Sequence, residues 1–386
     1  MEAEFLPGNR IALLETGSAY FPALLEAIDA AACELYLETY LFEDDDTGRM
    51  IAAALARAAR RGVAVHVLVD GFGAREFPQT LMPALEASGA RVLIYRRNIS
   101  PLTLRRHRLR RLHRKLAVID ARLAFVGGIN LIDDMHTPGQ APPRYDYAVR
   151  VEGPLLAPIH ASVRRLWDLV AWANFRRRLR VHAYPAVIAG PCGGMRAAFV
   201  VRDNLRHRRD IEDAYLGAIE TAKKEIVLAN AYFLPGLRFR HALMDAARRG
   251  VRVIVLLQGR VEYVLLHYAT QALFGALLSS GVRIFEYHRS FLHAKVAVID
   301  GRWATVGSSN IDPFSLLLAR EANVVVREEG FAGELRASLE AAMVAGAQEL
   351  KREAWRREPW HARLARWLAY SMVRLMIGIA GYGGKL

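Results

Sequence analysis

Cysteine is almost absent. Cys33 and Cys192 are the two thiols in 386 residues, which leaves no disulfide framework and no metal-ligand spacing, and reads as an intracellular chain with both thiols reduced. A long apolar run is missing too: no window gives a clean span of about twenty apolar residues, so no membrane-spanning helix is expected. The start, Met1-Glu2-Ala3-Glu4-Phe5-Leu6-Pro7, is acidic and followed only by the short Ile11 to Leu14 run, and is not read as a secretory signal. Carboxylates are in deficit: 39 Asp and Glu against 53 Lys and Arg give a net charge of +14 and an isoelectric point near 10.1. That balance implies an anionic partner, either nucleic acid or an acidic bilayer surface. Apolar residues are plentiful, at 53%, and the length suffices for two ordinary domains with real cores.

One pattern, His-x-Lys-x-x-x-x-Asp, occurs twice, as His113-Arg114-Lys115 through Asp120 and as His293-Ala294-Lys295 through Asp300. Each copy runs through a short apolar stretch to a Gly-rich turn ending in Asn, Gly127-Gly128-Ile129-Asn130 and Gly307-Ser308-Ser309-Asn310. A single His-x-Lys on a strand is ordinarily a solvated face; two in register, each with its turn, are not. Strand alternation puts residues i and i+2 on one face, so imidazole and ammonium point the same way. Such a pair suits a phosphate. Lys115 and Lys295 supply point charges for phosphoryl oxygens, and Asn130 and Asn310 add amide hydrogen bonds. Histidine can attack phosphorus or move a proton near neutral pH. Each half-site has one histidine and the reaction needs two.

Other segments repeat in step. Ala58-Ala59-Arg60-Arg61-Gly62-Val63 returns as Ala246-Ala247-Arg248-Arg249-Gly250-Val251, each time a helix end with a glycine C-cap leading into an apolar strand. Ser88-Gly89-Ala90-Arg91-Val92 matches Ser280-Gly281-Val282-Arg283-Ile284, each continuing to a tyrosine, Tyr95 or Tyr287. The chain is a tandem duplication of a βαβ-rich unit, hence an α/β fold.

The halves differ in one informative place. Five residues separate Tyr287 from His293, but seventeen separate Tyr95 from His113, and the extra ones include Arg105, Arg106, His107, Arg108, Arg110 and Arg111. A charge run is usually a solvated loop; beside the first motif this one is expected to recruit an anionic membrane surface. A second basic run, Arg176-Arg177-Arg178-Leu179-Arg180, precedes a Pro- and Gly-containing stretch taken as the linker. At the C-terminus Arg363, Arg366 and Arg374 mix with Trp360, Trp367, Leu368, Tyr370 and Met372, which reads as an interfacial helix that binds membrane. A helix packed on the globular body is the alternative.

These residues carry a resemblance. The paired motifs, with Leu37-Glu38-Thr39-Tyr40, Arg144-Tyr145-Asp146-Tyr147, Asn230-Ala231-Tyr232-Phe233-Leu234-Pro235-Gly236 and Glu321-Ala322-Asn323, make the chain similar over nearly its whole length to the phospholipase D superfamily. Within it, the chain resembles the bacterial cardiolipin synthases of the short form without transmembrane helices. The resemblance implies two mixed β-sheets flanked by helices, related by a pseudo-twofold with the active site at the interface. The expected division is a first repeat over 1–184, a linker over 185–195, a second repeat over 196–352 and a membrane-associating tail over 353–386.

It also implies roles. His113 would attack phosphorus to form a phosphohistidine, and His293 would protonate the leaving alcohol and then deprotonate the acceptor. Glu321, downstream of the second motif, is expected to orient His293, and Asp146 is assigned to His113. Asp120 and Asp300 belong to the catalytic signature but are expected to hold the strand and turn rather than touch phosphate. Phosphatidylglycerol is the expected donor and acceptor, giving cardiolipin and glycerol. No cofactor and no metal are expected, because two lysines and two amides replace the cation, and no nucleic-acid partner is expected. The expected place is the bacterial inner membrane, peripheral on its cytoplasmic face. Alternatives are phospholipid hydrolysis to phosphatidic acid, a phosphodiesterase on DNA, which the tail disfavours, and a silent membrane-binding protein.

Overall fold

The computed structural model describes residues 4–96, 110–137, 139–174, 190–203, 206–313, 315, 318–356 and 359–379. Arg105, Arg106 and Arg108 of the basic insert, the 176–180 run and positions 185–189 of the 185–195 linker lie outside the described residues.

Each half is built from the same parts. The first contains β1 (Leu6–Glu15), α1 (Thr16–Ala30), β2 (Glu34–Thr39), α2 (Asp46–Arg60), β3 (Ala64–Asp70), α3 (Met82–Ala87), β4 (Arg91–Tyr95), β5 (Arg111–Leu112), β6 (Lys115–Ile119), β7 (Leu123–Gly127), β8 (Tyr147–Glu152) and α4 (Leu156–Ala173). The second contains β9 (Met195–Arg202), α5 (Asp210–Thr221), β10 (Glu225–Asn230), α6 (Leu237–Arg248), β11 (Arg252–Gln258), α7 (Val264–Ser279), β12 (Arg283–Tyr287), β13 (Lys295–Ile299), β14 (Trp303–Gly307), β15 (Ala319–Arg327) and α8 (Glu329–Gly346). Then come β16 (Ala347–Glu349), α9 (Arg352–Arg356) and α10 (Trp360–Ile379). Met195 already opens β9, at the last position assigned to the linker.

Strand order is symmetric about one seam. It runs β16-β12-β11-β10-β13-β14-β15-β9, then β1-β8-β7-β6-β2-β3-β4. The sheets of the two halves are fused into one by the antiparallel β1–β9 pairing, with Leu6 opposite Ala197 and Asn9 opposite Met195. In each half β2–β3–β4 and β10–β11–β12 are parallel, as βαβ connections require, and the motif strands β6 and β13 insert antiparallel to β2 and β10.

Helix ends follow local chemistry. The Asp45 carboxylate accepts from Gly48 N at 2.8 Å to cap α2, placing an anion at the positive end of the helix. Gly62 after α2 and Gly250 after α6 both lie at positive φ, +93° and +88°, where glycine alone escapes a Cβ penalty.

The core has three parts. One apolar face of both half-sheets packs on α4 and α8, joining Val118, Val126, Val149 and Trp167 with Val227, Val296, Val324 and Leu335. The outer faces are covered separately, by α1, α2 and α3 in the first half and by α5, α6, α7 and α10 in the second. Strands buried on both sides explain the near-continuous apolar runs of the sequence. One buried ion pair sits in the shared layer: Arg114, the variable residue of the first motif, holds Glu38 at 2.7 and 2.6 Å and Ser162 Oγ at 2.7 Å.

Candidate active site

The segment before each motif crosses the seam. β5 pairs in parallel with β15 of the other half, and His113 N donates to Arg320 O at 3.0 Å. Symmetrically, Leu292 bridges Tyr145, and His293 N donates to Tyr145 O at 2.8 Å. Each histidine is thereby laid beside the residue preceding a carboxylate of the opposite half.

The carboxylate pairing is therefore the reverse of the expected one. His113 Nδ1 lies 3.0 and 3.1 Å from the Glu321 oxygens, and His293 Nδ1 lies 2.6 Å from Asp146 Oδ2. Asp146 is the first half's equivalent of Glu321. Gly127 faces Ala148 and Gly307 faces Asn323 in the sheet, which makes Asp146 and Glu321 register mates. Sequence spacing hid this, because Asp146 lies 16 residues beyond Asn130 and Glu321 only 11 beyond Asn310.

Both carboxylates are held from behind. Glu321 is fully buried at 0% exposure and accepts from Ser308 Oγ at 2.6 Å; Asp146 Oδ1 accepts from Tyr147 N at 2.8 Å. At the position of Ser308 the first half has Gly128, where an added Cβ would stand 2.3 Å from Asp146 Oδ1. The difference between Gly-Gly-Ile-Asn and Gly-Ser-Ser-Asn is thus a signal that sequence reasoning left unused: one turn makes room for its carboxylate and the other holds its carboxylate with a hydroxyl.

The two lysines lie buried between these dyads, Lys115 at 4% and Lys295 at 0% exposure. Lys115 Nζ donates to His113 O at 2.8 Å, Lys295 Nζ donates to His293 O, and Lys295 Nζ stands 3.5 Å from Asp146 Oδ2. Lys295 Nζ also lies 2.9 Å from His293 Nδ1. That nitrogen carries one hydrogen, and the shorter contact to the carboxylate defines it as the donor, leaving Nε2 with its lone pair. Tyr40 packs its ring against His113, with centroids 4.9 Å apart. Asn130 and Asn310 are buried in the turns that follow β7 and β14, each with an amide oxygen lacking a partner among the described residues.

Charge in this layer is frustrated without a ligand. Burial, reinforced by Lys295, pushes the His293 imidazole down to about 3. Burial pushes the Lys115 ammonium down to about 7 and lowers Lys295 as well. His113 is lowered by burial, against the pull of Glu321. Burial raises Asp146, but Lys295 and His293 together outweigh it and leave the carboxyl below its usual range. An anionic phosphate between two lysines and two imidazoles would relieve the first four of these shifts.

Asp120 and Asp300 lie at the far ends of β6 and β13. Asp120 accepts from the backbone N–H of Ala32, Cys33 and Glu34 at 2.9, 2.7 and 2.9 Å; Asp300 does the same for Lys223, Lys224 and Glu225 at 2.8, 2.7 and 3.0 Å. Both sit in the left-handed region, φ 50° and 52°, which Asp tolerates better than most residues. Their membership of the catalytic set is corrected: a five-residue strand, roughly 16 Å, separates each from its histidine.

The expected membrane contacts divide. Helix α10 lies against α7, burying Ala369, Val373 and Ile377. Arg366 is 9% exposed and turned inward, donating to Gln271 Oε1 at 2.9 Å with its guanidinium over the Trp355 ring, so its assignment to the membrane is corrected. Its other face presents Trp360, Leu364, Trp367, Leu368, Met372, Leu375 and Met376 to solvent, with Arg363 and Arg374 also exposed. The alternative of a helix packed on the body holds for one face, and the other face is apolar and open to solvent. Arg110 and Arg111 are half-buried, with the Arg111 guanidinium over Phe72. No helix among the described residues is long and apolar enough to cross a membrane.

Comparison with known proteins agrees with this architecture. A family model described as cardiolipin synthase, PLD-like domain, matches residues 24–141 and 215–343, one segment in each half. Cardiolipin synthase B of Escherichia coli strain K12 is 38% identical over 382 residues, spanning 99% of this chain and 92% of its own. Cardiolipin synthase A of Proteus mirabilis is 28% identical over 94% of this chain and 75% of its own. Among solved structures, phosphatidylserine synthase of Haemophilus influenzae Rd KW20 superposes with a TM-score of 0.70 over 96% of both chains at 14% identity, a likeness of fold. Matched in each half, and aligned from end to end with a cardiolipin synthase B, the chain belongs to the cardiolipin synthase family of phospholipase D-like enzymes.

Proposed function

We propose that the protein transfers a phosphatidyl group from one phosphatidylglycerol to the hydroxyl of another, releasing glycerol and forming cardiolipin. The observation that carries this reading is the single layer in which two histidine–carboxylate dyads face two buried lysines. In the first step His113 Nε2 attacks phosphorus while His293 protonates the departing glycerol oxygen. In the second, His293 takes the proton of the incoming hydroxyl, whose oxygen bonds to phosphorus as the bond to His113 breaks. Two in-line displacements retain configuration at phosphorus. Lys115, Lys295, Asn130 and Asn310 carry the phosphoryl charge.

The N–H that each imidazole gives to its carboxylate fixes the other nitrogen toward the substrate. His293 acts as an acid only once an anionic phosphodiester lies beside it and raises its proton affinity, so acid strength and substrate binding are coupled. The exposed face of α10 and the +14 charge suit peripheral attachment to an anionic bilayer, on the cytoplasmic face of the inner membrane.

The test is direct. Purified protein is incubated with phosphatidylglycerol vesicles in the presence of EDTA, and the lipid products are resolved by mass. Cardiolipin with free glycerol is the expected outcome; phosphatidic acid alone would replace transfer by hydrolysis, and labelled donor trapped on His293 would exchange the two histidine roles.

A further inference from the structure

A recess of about 50 Å³ opens at the ends of β10, β11 and β12, lined among others by Ala231, Tyr232, Gln258, Glu262, Thr270 and Glu286. One water needs roughly 10–15 Å³ by the same measure. The recess adjoins the chemistry: Ala231 N donates at 2.9 Å to the carbonyl of Ala294, the residue between His293 and Lys295. The Glu262 charge reaches far enough to favour the ammonium form of Lys295.

Its wall holds one unused hydrogen-bond donor, and a second lies at the adjoining strand end. Gln258 is 9% exposed, and its Nε2 is buried with no partner among the described residues, while its Oε1 accepts from Arg260 N at 3.4 Å. At the neighbouring strand end, next to the recess lining, Asn230 Oδ1 accepts from Ile311 N at 3.0 Å, and its buried Nδ2 has no partner among the described residues. A buried donor without a partner is destabilising, and a bound hydroxyl oxygen would satisfy it. Two carboxylates share the lining: Tyr232 Oη donates to Glu262, and burial pushes Glu286 above its usual range.

The duplication supplies an internal control. The sheet register makes Thr39, Tyr40 and Asp70 the counterparts of Asn230, Ala231 and Gln258. In the first half this space is used up. The Tyr40 ring occupies the Ala231 position and packs on His113. Asp70 accepts from Phe72 N, Gly73 N and Leu112 N at 2.9, 3.1 and 2.7 Å, and Thr39 Oγ1 donates to Leu41 O at 2.8 Å. Open space and free donors occur together on the His293 side.

We infer that this recess is the subsite for the free hydroxyls of a polyol, seating the glycerol that leaves and then the glycerol head that accepts. A hydroxyl both gives and accepts, which matches amide N–H groups together with carboxylates. An anionic head would meet two carboxylates, and an ammonium would leave the amide donors unpaired. The inference rests on the transfer reading above and adds a reason why alcohol prevails over water. A polyol seated here presents its remaining hydroxyl to His293, which takes that proton as the oxygen bonds to phosphorus and the phosphorus–nitrogen bond to His113 breaks, while water satisfies only part of the subsite.

The test lets glycerol, 1-propanol and ethanolamine compete in one reaction of the full chain on phosphatidylglycerol vesicles, and reads each phosphatidyl-alcohol by mass. Wild type is expected to favour glycerol over 1-propanol, and Gln258→Met to lower that ratio about tenfold, the loss of one hydrogen bond. Glu262→Gln, at an exposed position, should lower it as well and guards against a folding defect at buried Gln258. An unchanged ratio in both variants, or a wild-type preference for ethanolamine, overturns the subsite. If wild type yields phosphatidic acid alone, the transfer reading fails separately, and inhibition of that hydrolysis judges the subsite. Glycerol inhibiting more strongly than 1-propanol, with the difference lost in Gln258→Met, supports it; equal inhibition overturns it.

Discussion

Replacing Glu321 by Gln should stop the first chemical step while leaving the shape of the site intact. Ser308 Oγ donates to Glu321 Oε2 at 2.6 Å, so in the variant the amide oxygen takes that place and the NH₂ faces His113 Nδ1 across about the 3.0 Å now spanned by Oε1. A nitrogen that receives an N–H cannot carry its own. The imidazole hydrogen moves to Nε2, the atom that must attack phosphorus with a lone pair. The same tautomer reversal, produced by Asp→Asn in a serine protease triad, lowers turnover about 10⁴-fold; a loss of about 10³ to 10⁴ here corresponds to roughly 4–5.4 kcal/mol. The assay is the burst of nitrophenol from a phosphatidyl nitrophenyl ester, a leaving group that needs no proton. Glu321→Gln should lose the burst. Asp146→Asn, which disturbs His293, should keep most of it yet fail to turn over phosphatidylglycerol. A burst from Glu321→Gln within about tenfold of wild type would refute the assignment of Glu321 to an attacking His113.

Asp300→Ala removes the acceptor of three backbone N–H groups and should cost about 1–3 kcal/mol in denaturant unfolding. Activity per folded molecule should stay within a few-fold; a large drop at unaltered stability would place that carboxylate in the chemistry. Lys115, held at about 7 in the folded protein, makes phosphodiester binding a proton-uptake reaction. Its folded value is below the ordinary 10.5, so the empty fold binds fewer protons than the unfolded chain between about pH 7 and 10.5, and this group's contribution to stability falls as pH drops through that window. Dimethyl phosphate, which does not titrate there, should take up protons on binding at pH 7.5 to 8, as read by calorimetry in buffers of different ionisation enthalpy; proton release would contradict the charge balance. Trp360, Trp367 and Leu368 are all exposed, and changing the three to Ser should weaken binding to anionic vesicles by at least tenfold, given about 1.5–3 kcal/mol for each fully buried large apolar side chain. Unchanged flotation would leave that face of α10 without a membrane role.

Much of this was legible in the chain. The duplication follows from the repeated segments and the histidine and lysine pairs from strand alternation, and the structure brings these pairs together across the seam between the halves. The structural role of Asp120 and Asp300 also follows, because five strand residues carry them away from the histidines. The carboxylate pairing did not follow, since alternation describes which face a side chain takes and not which half it meets. The decisive contacts, His113 N to Arg320 O and His293 N to Tyr145 O, join residues about 200 and 150 positions apart, and loops of different length disguise the equivalence of Asp146 and Glu321. Arg366 escaped for a related reason: helical spacing shows that α10 has two faces but not that Gln271 lies ready to receive the arginine.

The exchange of carboxylates across the seam makes turnover a report on assembly. A chain cut in the linker would give one piece with His113 but no acid to aim it, and Asp146 with no imidazole to hold; the other piece would have the mirror deficit. Neither product of such a cut could act as a slow, partial enzyme, and a molecule whose halves had folded correctly but docked badly would be silent instead of unselective. For the catalyst proposed above, whose phosphorylated side chain would stand next to a bilayer, that all-or-none dependence would be a safeguard against stray hydrolysis by immature protein.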